Sequence, residues 1–141
     1  MTRPILDHSD KMVKSIEELH IGDHAVIARW CLHPRCHFII KDINKEEQTM
    51  IVLRFKHEKG VVEELIPFKK PVYKVIYEEY ECFPPNEVIE RAAKKKGKKT
   101  LEYNIFSNNC KSFARWCKTG RLPSGSLVRG YHQDENLNEE V

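Results

Sequence analysis

Cys110 follows the pair Asn108–Asn109 and opens the stretch Cys110-Lys111-Ser112-Phe113-Ala114-Arg115-Trp116-Cys117, which Gly120 closes. A thiol in the first turn of a helix sits beside unpaired backbone N–H groups and the positive end of the macrodipole. Both favour the thiolate, the form that attacks a carbonyl carbon. A small buried apolar group is the plain alternative for a cysteine there. A nucleophilic thiol needs a base, and His37 opens the apolar run His37-Phe38-Ile39-Ile40. An imidazole at the end of a strand is displayed rigidly at the rim of a sheet, where it can take and return a proton. Its plain alternative is a surface or hydrogen-bonded histidine.

The elements that would hold these two groups follow from turns and periodicity. Apolar alternation predicts strands at 24–30, 37–40, 49–56, 61–68 and 72–80, separated by the Gly22-Asp23 turn, a loop from Cys31 to Cys36, the polar turn 44–47, Gly60 and Lys69-Lys70-Pro71. Short connections between consecutive strands predict an antiparallel meander. After Phe83-Pro84-Pro85 the pattern turns helical, with Asn86 as N-cap, Val88, Ile89, Ala92 and Ala93 on one face, and Lys94-Lys95-Lys96 before Gly97. A short extended piece at 101–106 precedes the cysteine helix. The fold class expected is α+β, with residues 1–14 a flexible lead-in, 15–124 the folded domain and 125–141 a disordered acidic tail.

Composition agrees with one ordinary globular domain. The 141 residues are 40% hydrophobic and 32% charged, with a net charge of +3, which excludes collagen-like and disordered classes and gives no reason to expect nucleic acid as a partner. No apolar run approaches the length of a spanning helix and no signal peptide is legible, so a cytoplasmic location is expected. Five cysteines in a reducing compartment would be free thiols, ligands or nucleophiles. Cys31, His33, Cys36 and His37 crowd possible zinc ligands into seven residues, but no second ligand pair of regular spacing follows, and no metal is expected. Lys94, Lys95, Lys96, Lys98 and Lys99 form the densest positive run. It reads as a solvated helix end, or as a patch drawn peripherally to anionic lipid.

Several of these segments resemble the lecithin retinol acyltransferase-like family. Gly22-Asp23-His24 resembles its opening Gly-Asp-His. Cys36-His37-Phe38-Ile39-Ile40-Lys41 is similar to its histidine strand, and Asn109-Cys110-Lys111-Ser112-Phe113 to its Asn-Cys motif. Trp116-Cys117-Lys118-Thr119-Gly120 is close to the sequence that follows that motif in some members. The resemblance spans about 16–120 and implies a permuted papain-like fold. It further implies a catalytic Cys110 and His37, an oxyanion site at the Asn109–Cys110 cap, a phospholipid substrate met at a membrane surface, and no cofactor.

This chain departs from the family pattern at three places. The second histidine of the family's third strand falls on Leu53, and His57 could replace it only through a bulge. The acidic residue after the nucleophile is Lys111, a cation that would favour a neighbouring thiolate, and the glycine after the base is Phe38. With Leu53 in the orienting slot, the outer nitrogen of His37 is expected to meet a backbone carbonyl, water or the Arg54 region. The readings kept are a thiol acyltransferase or phospholipase, a catalytically impaired lipid- or protein-binding module, and an amidase or peptidase on the related fold.

Overall fold

A computed structural model describes residues 9–28, 35–56, 59–98 and 110–121. Six strands form one antiparallel sheet: β1 (Asp10–Val13), β2 (His24–Ala28), β3 (Arg35–Asn44), β4 (Thr49–Lys56), β5 (Gly60–Pro67) and β6 (Val72–Val75), in the order β1-β6-β2-β3-β4-β5. Helices α1 (Pro85–Lys94) and α2 (Cys110–Thr119) complete an α+β domain.

The meander expected from the sequence runs through β2 to β5 and then stops. β6 pairs with β2, on the far side of the sheet from β5. The five steps from Pro67 to Val72 reach at most about 18 Å, whereas four strand spacings cover about 19 Å. A flat sheet could not be bridged, so this one must curl, and Lys69, Lys70 and Pro71 line a cavity with Ile27, Cys36, Phe38 and Arg54 of the intervening strands. β6 is also shorter than the 72–80 span expected, because the chain leaves the ladder after Val75 and forms a 3-10 turn at Glu79–Glu81. Asp10–Val13, within the segment expected to be a mobile lead-in, adds to the outer edge of β6 as β1.

Strand alternation gives the sheet two buried faces. Leu53 and Phe55 of β4 join Ile39 and Val61 beneath the helices, packed on Val88, Ala92, Phe113, Ala114, Trp116 and Cys117. Met50 and Val52 point to the opposite face, with Ala25, Phe38, Ile40 and Val72, covered by Val13, Ile16 and Leu19. Each large apolar side chain buried in this way contributes about 1.5–3 kcal/mol. α1 begins two residues earlier than expected, because Pro85 takes the first helical position behind Pro84, where its missing N–H costs nothing. Asn86 therefore lies inside the helix rather than capping it.

Two contacts set the axial position of α2. The guanidinium of Arg91, fully buried, donates to the carbonyl oxygens of Trp116 (2.9 Å) and Cys117 (3.3 Å) and stacks 3.9 Å over the Trp116 ring. A cation at the C-terminal carbonyls complements the helix dipole and locks α1 to α2. At the same end Lys118 Nζ donates to the Gly22 carbonyl oxygen at 3.2 Å, tying the helix to the turn that starts β2.

Candidate active site

The Gly-Asp-His segment is a device for placing His24. Gly22 has a φ of +86°, and a Cβ there would lie 2.9 Å from Pro85, so the turn requires glycine both for its backbone and for the approach of α1. Asp23 accepts from the His20 N–H at 2.8 Å, and its carbonyl oxygen accepts from the Ile40 N–H at 3.0 Å. The register His24↔Ile39 and Val26↔His37 then puts the two imidazoles diagonally across β2 and β3.

His24 Nε2 lies 2.8 Å from His37 Nδ1, and His24 Nδ1 lies 2.8 Å from the Tyr77 hydroxyl. Both histidines are buried. A single set of tautomers satisfies the chain while leaving His37 Nε2 unprotonated: His37 Nδ1–H donates to His24 Nε2, and His24 Nδ1–H donates to the Tyr77 oxygen. Tyr77 stays a neutral phenol, because burial pushes its pKa well above the usual value. The outer nitrogen of His37 thus meets a histidine, and not the carbonyl, water or Arg54 region expected from the sequence.

Cys110 is the first residue of α2 and half-buried. Its Sγ accepts from the His37 backbone N–H at 3.3 Å. That contact has a structural cause. The β3–β4 ladder ends at Ile39↔Leu53, and beyond it Arg54, Phe55 and Lys56 pair with β5 alone. The splay exposes the edge of β3 at His37, and the start of α2 occupies the gap. The sulfur is therefore held at the backbone of the residue that carries the imidazole, at a place where the sheet opens.

The His37 imidazole is held at a pKa of about 3, first by burial and then by the positive charges of Lys111, Arg35 and Arg115. It is neutral at physiological pH, able to accept a proton but a weak base as it stands. Lys111, weighed above for its effect on the thiol, thus also acts on the base. A cleft of about 260 Å³ opens beside this imidazole, and Asp10, His24, Arg35, Tyr77, Lys111 and Arg115 are among its lining residues.

The remaining sequence candidates fall elsewhere. Leu53 is fully buried against the helices, an apolar core residue with no polar role. His57, Asn109 and Lys99 lie outside the described residues, as do Cys31, His33 and the tail 125–141. Among the described residues no group of three or more His, Cys, Asp or Glu side chains could hold a metal. The lysine run divides by burial, and only Lys94 lies within α1. Lys94 is exposed, Lys96 reaches Glu63 at 3.1 Å, and Lys98 is half-buried. Lys95 is buried, 5.4 Å over the Trp116 ring, and so is withdrawn from any surface patch. His24 and Tyr77 were not singled out as site residues by the sequence. The one signal was the position of His24 in the Gly-Asp-His segment.

A half-buried thiol at a helix start, bonded to the backbone of a histidine whose ring is backed by a second imidazole, on an antiparallel sheet, defines the class: an α+β protein with a cysteine and paired histidines gathered at one end of its helix. The family model for lecithin retinol acyltransferase matches residues 18–123, three quarters of the chain and all three of these groups. The protein belongs to the lecithin retinol acyltransferase family. Membership suggests acyltransferase- or phospholipase-like activity and a lipid substrate. No curated protein and no solved structure matches the chain. Among the described residues no helix is long and apolar enough to cross a membrane.

Proposed function

We propose that the protein is a thiol acyltransferase or phospholipase that takes an acyl group from a phospholipid ester onto Cys110. His37 Nε2 accepts the thiol proton as Sγ attacks the ester carbonyl, and returns it to the departing lysolipid oxygen. The thioester on Cys110 is then resolved by water or by an acceptor alcohol or amine. The Cys110 backbone N–H, at a helix start where no intrahelical acceptor exists, is suited to the developing oxyanion. His24 holds the His37 tautomer and shares the imidazolium charge that forms, with Tyr77 fixing His24 in turn.

The observation that carries this reading is the side-chain relay Tyr77–His24–His37 on a residue whose backbone N–H meets the Cys110 sulfur. It supports an enzyme over a catalytically impaired binding module. Leu53 leaves the orienting slot of β4 apolar, and His24 fills that role from β2 on the other side of β3. Contact with a membrane would be peripheral, with Lys94, Lys96 and Lys98 contributing about 1 kcal/mol each near an anionic surface.

Incubation of the full chain with phosphatidylcholine and phosphatidylserine vesicles, followed by intact mass measurement, tests the mechanism. The expected result is a mass increase of one acyl group, removed by hydroxylamine and absent from Cys110→Ser. Release of lysolipid with no acylated protein under rapid acid quench, or an adduct that persists in Cys110→Ser, would refute it. Cleavage of peptide amides without cleavage of phospholipid would favour the peptidase reading.

A further inference from the structure

The cleft beside His37 has an unbalanced charge. Arg35 enters it from β3, two residues before the base and on the same face, while Lys111 and Arg115 enter from α2, one helical turn apart. Among the described residues lining the cleft, Asp10 of β1 is the single carboxylate, and it is engaged in an ion pair with Arg35. Three cations face one anion at the mouth of a site whose reacting groups, Cys110 and neutral His37, contribute no positive charge. Arg115 is also buried, at 5% exposure. Its charge is felt by both His37 and Tyr77, so it acts on the cleft and not on bulk solvent.

We propose that Arg35, Lys111 and Arg115 form a phosphate-group subsite, which seats the phosphoryl moiety of the acyl donor or acceptor next to His37. The assignment rests on the acyl-transfer reading for its substrate, and it adds the part of that substrate the protein recognises. Two guanidinium forks and an ammonium suit the geometry of phosphate oxygens better than that of any neutral headgroup. Occupancy also acts on the chemistry. The three cations depress the basicity of His37, after burial itself, and a phosphate among them would cancel much of their field. The base strengthens when substrate arrives. Around His37 the groups that share this field are His24 of β2, Tyr77 beyond β6, Asp10 of β1, Arg35 of β3, and Cys110, Lys111 and Arg115 of α2.

The test has a binding arm and an acylation arm, both on the full chain. In the first, the His37 imidazole is titrated by nitrogen-15 NMR with and without inorganic phosphate or glycerol 3-phosphate. The subsite predicts saturable binding of both and a His37 pKa raised by about one or more. Affinity should fall at least about fivefold in Lys111→Glu, but not in Lys69→Glu, a charge control lining a different cavity. In the second arm, Cys110 acylation from dihexanoyl phosphatidate should exceed that from dihexanoylglycerol, and Lys111→Glu should erase the preference. Binding of glycerol 3-phosphate at least as tight as phosphate, with the lipid preference, identifies a headgroup as the source. Phosphate binding alone, without lipid preference, identifies free phosphate. An unresponsive His37, or equal responses in Lys111→Glu and the unaltered chain, overturns the subsite. Phosphate binding without any acyl adduct would overturn the thioester reading and leave the subsite. Acylation that proceeds with no phosphate binding, and with Lys111→Glu equal to the unaltered chain, would do the reverse.

Discussion

Helix α2 carries two cysteines, seven residues and two turns apart, and its two ends give them opposite chemistry. Cys110 is half-buried at the N-terminal end, where the sheet splays and the His37 N–H meets the sulfur. Cys117 is fully buried on the face packed against the sheet, and burial pushes its thiol pKa up to about 12. The residue type is the same, yet one thiol meets a backbone N–H at the open edge of the sheet while the other is a small apolar filler. Nucleophilic potential here comes from the end of the helix and from the gap in the ladder, not from the cysteine alone.

The sharpest way to break this comparison lies behind the base. His24→Ala removes the partner that fixes the His37 tautomer and should slow acylation of Cys110 about a hundredfold or more while Cys110 remains in place. Leu53→His, which the family pattern alone would suggest as a gain, should restore nothing. It puts an imidazole into the apolar layer under the helices, at a cost of about 1–3 kcal/mol in stability. Measured turnover and urea midpoints of the two variants check both statements. A faster Leu53→His enzyme would mean that the orienting role had been assigned to the wrong strand.

At the other end of α2, Arg91→Met should cost about 2–3 kcal/mol, since the Trp116 and Cys117 carbonyls lose a buried charged donor. The unfolding midpoint reads this directly. A smaller effect follows from the depressed basicity of His37. Between pH 6.5 and about 3 the unfolded chain binds a proton there that the folded chain does not. Stability should therefore fall as pH drops through that window, by up to about 1.4 kcal/mol per pH unit from this group. Denaturation of His37→Gln at matched pH values should show a flatter dependence, and an unchanged slope would contradict a buried neutral imidazole.

Much of this was legible in the sequence, and what was missed is specific. The span 49–56 reads as a strand at both ends because its large apolar residues stop at charged or turn-forming neighbours, and β4 occupies that same span. Cys110 and His37 stand out by local position. The pairing of His24 with His37 does not, because a diagonal contact depends on strand register, which no local pattern states. The return of β6 to the far side of β2, which carries Tyr77 to His24, is a long-range choice of the same kind. The burial of Lys95 has a local signal. Lys95 follows Val88 and Ala92 at helical spacing, on the buried face, while charge alone grouped it with its exposed neighbours.

Site-resolved alkylation tests the central claim most directly. The chain is treated with iodoacetamide at neutral pH, and the modified cysteines are timed by peptide mass. The account predicts that Cys110 is alkylated at least tenfold faster than Cys117, and that His37→Ala slows Cys110 while leaving Cys117 unchanged. Equal rates at the two positions, or a Cys110 rate unaffected by His37→Ala, would contradict it.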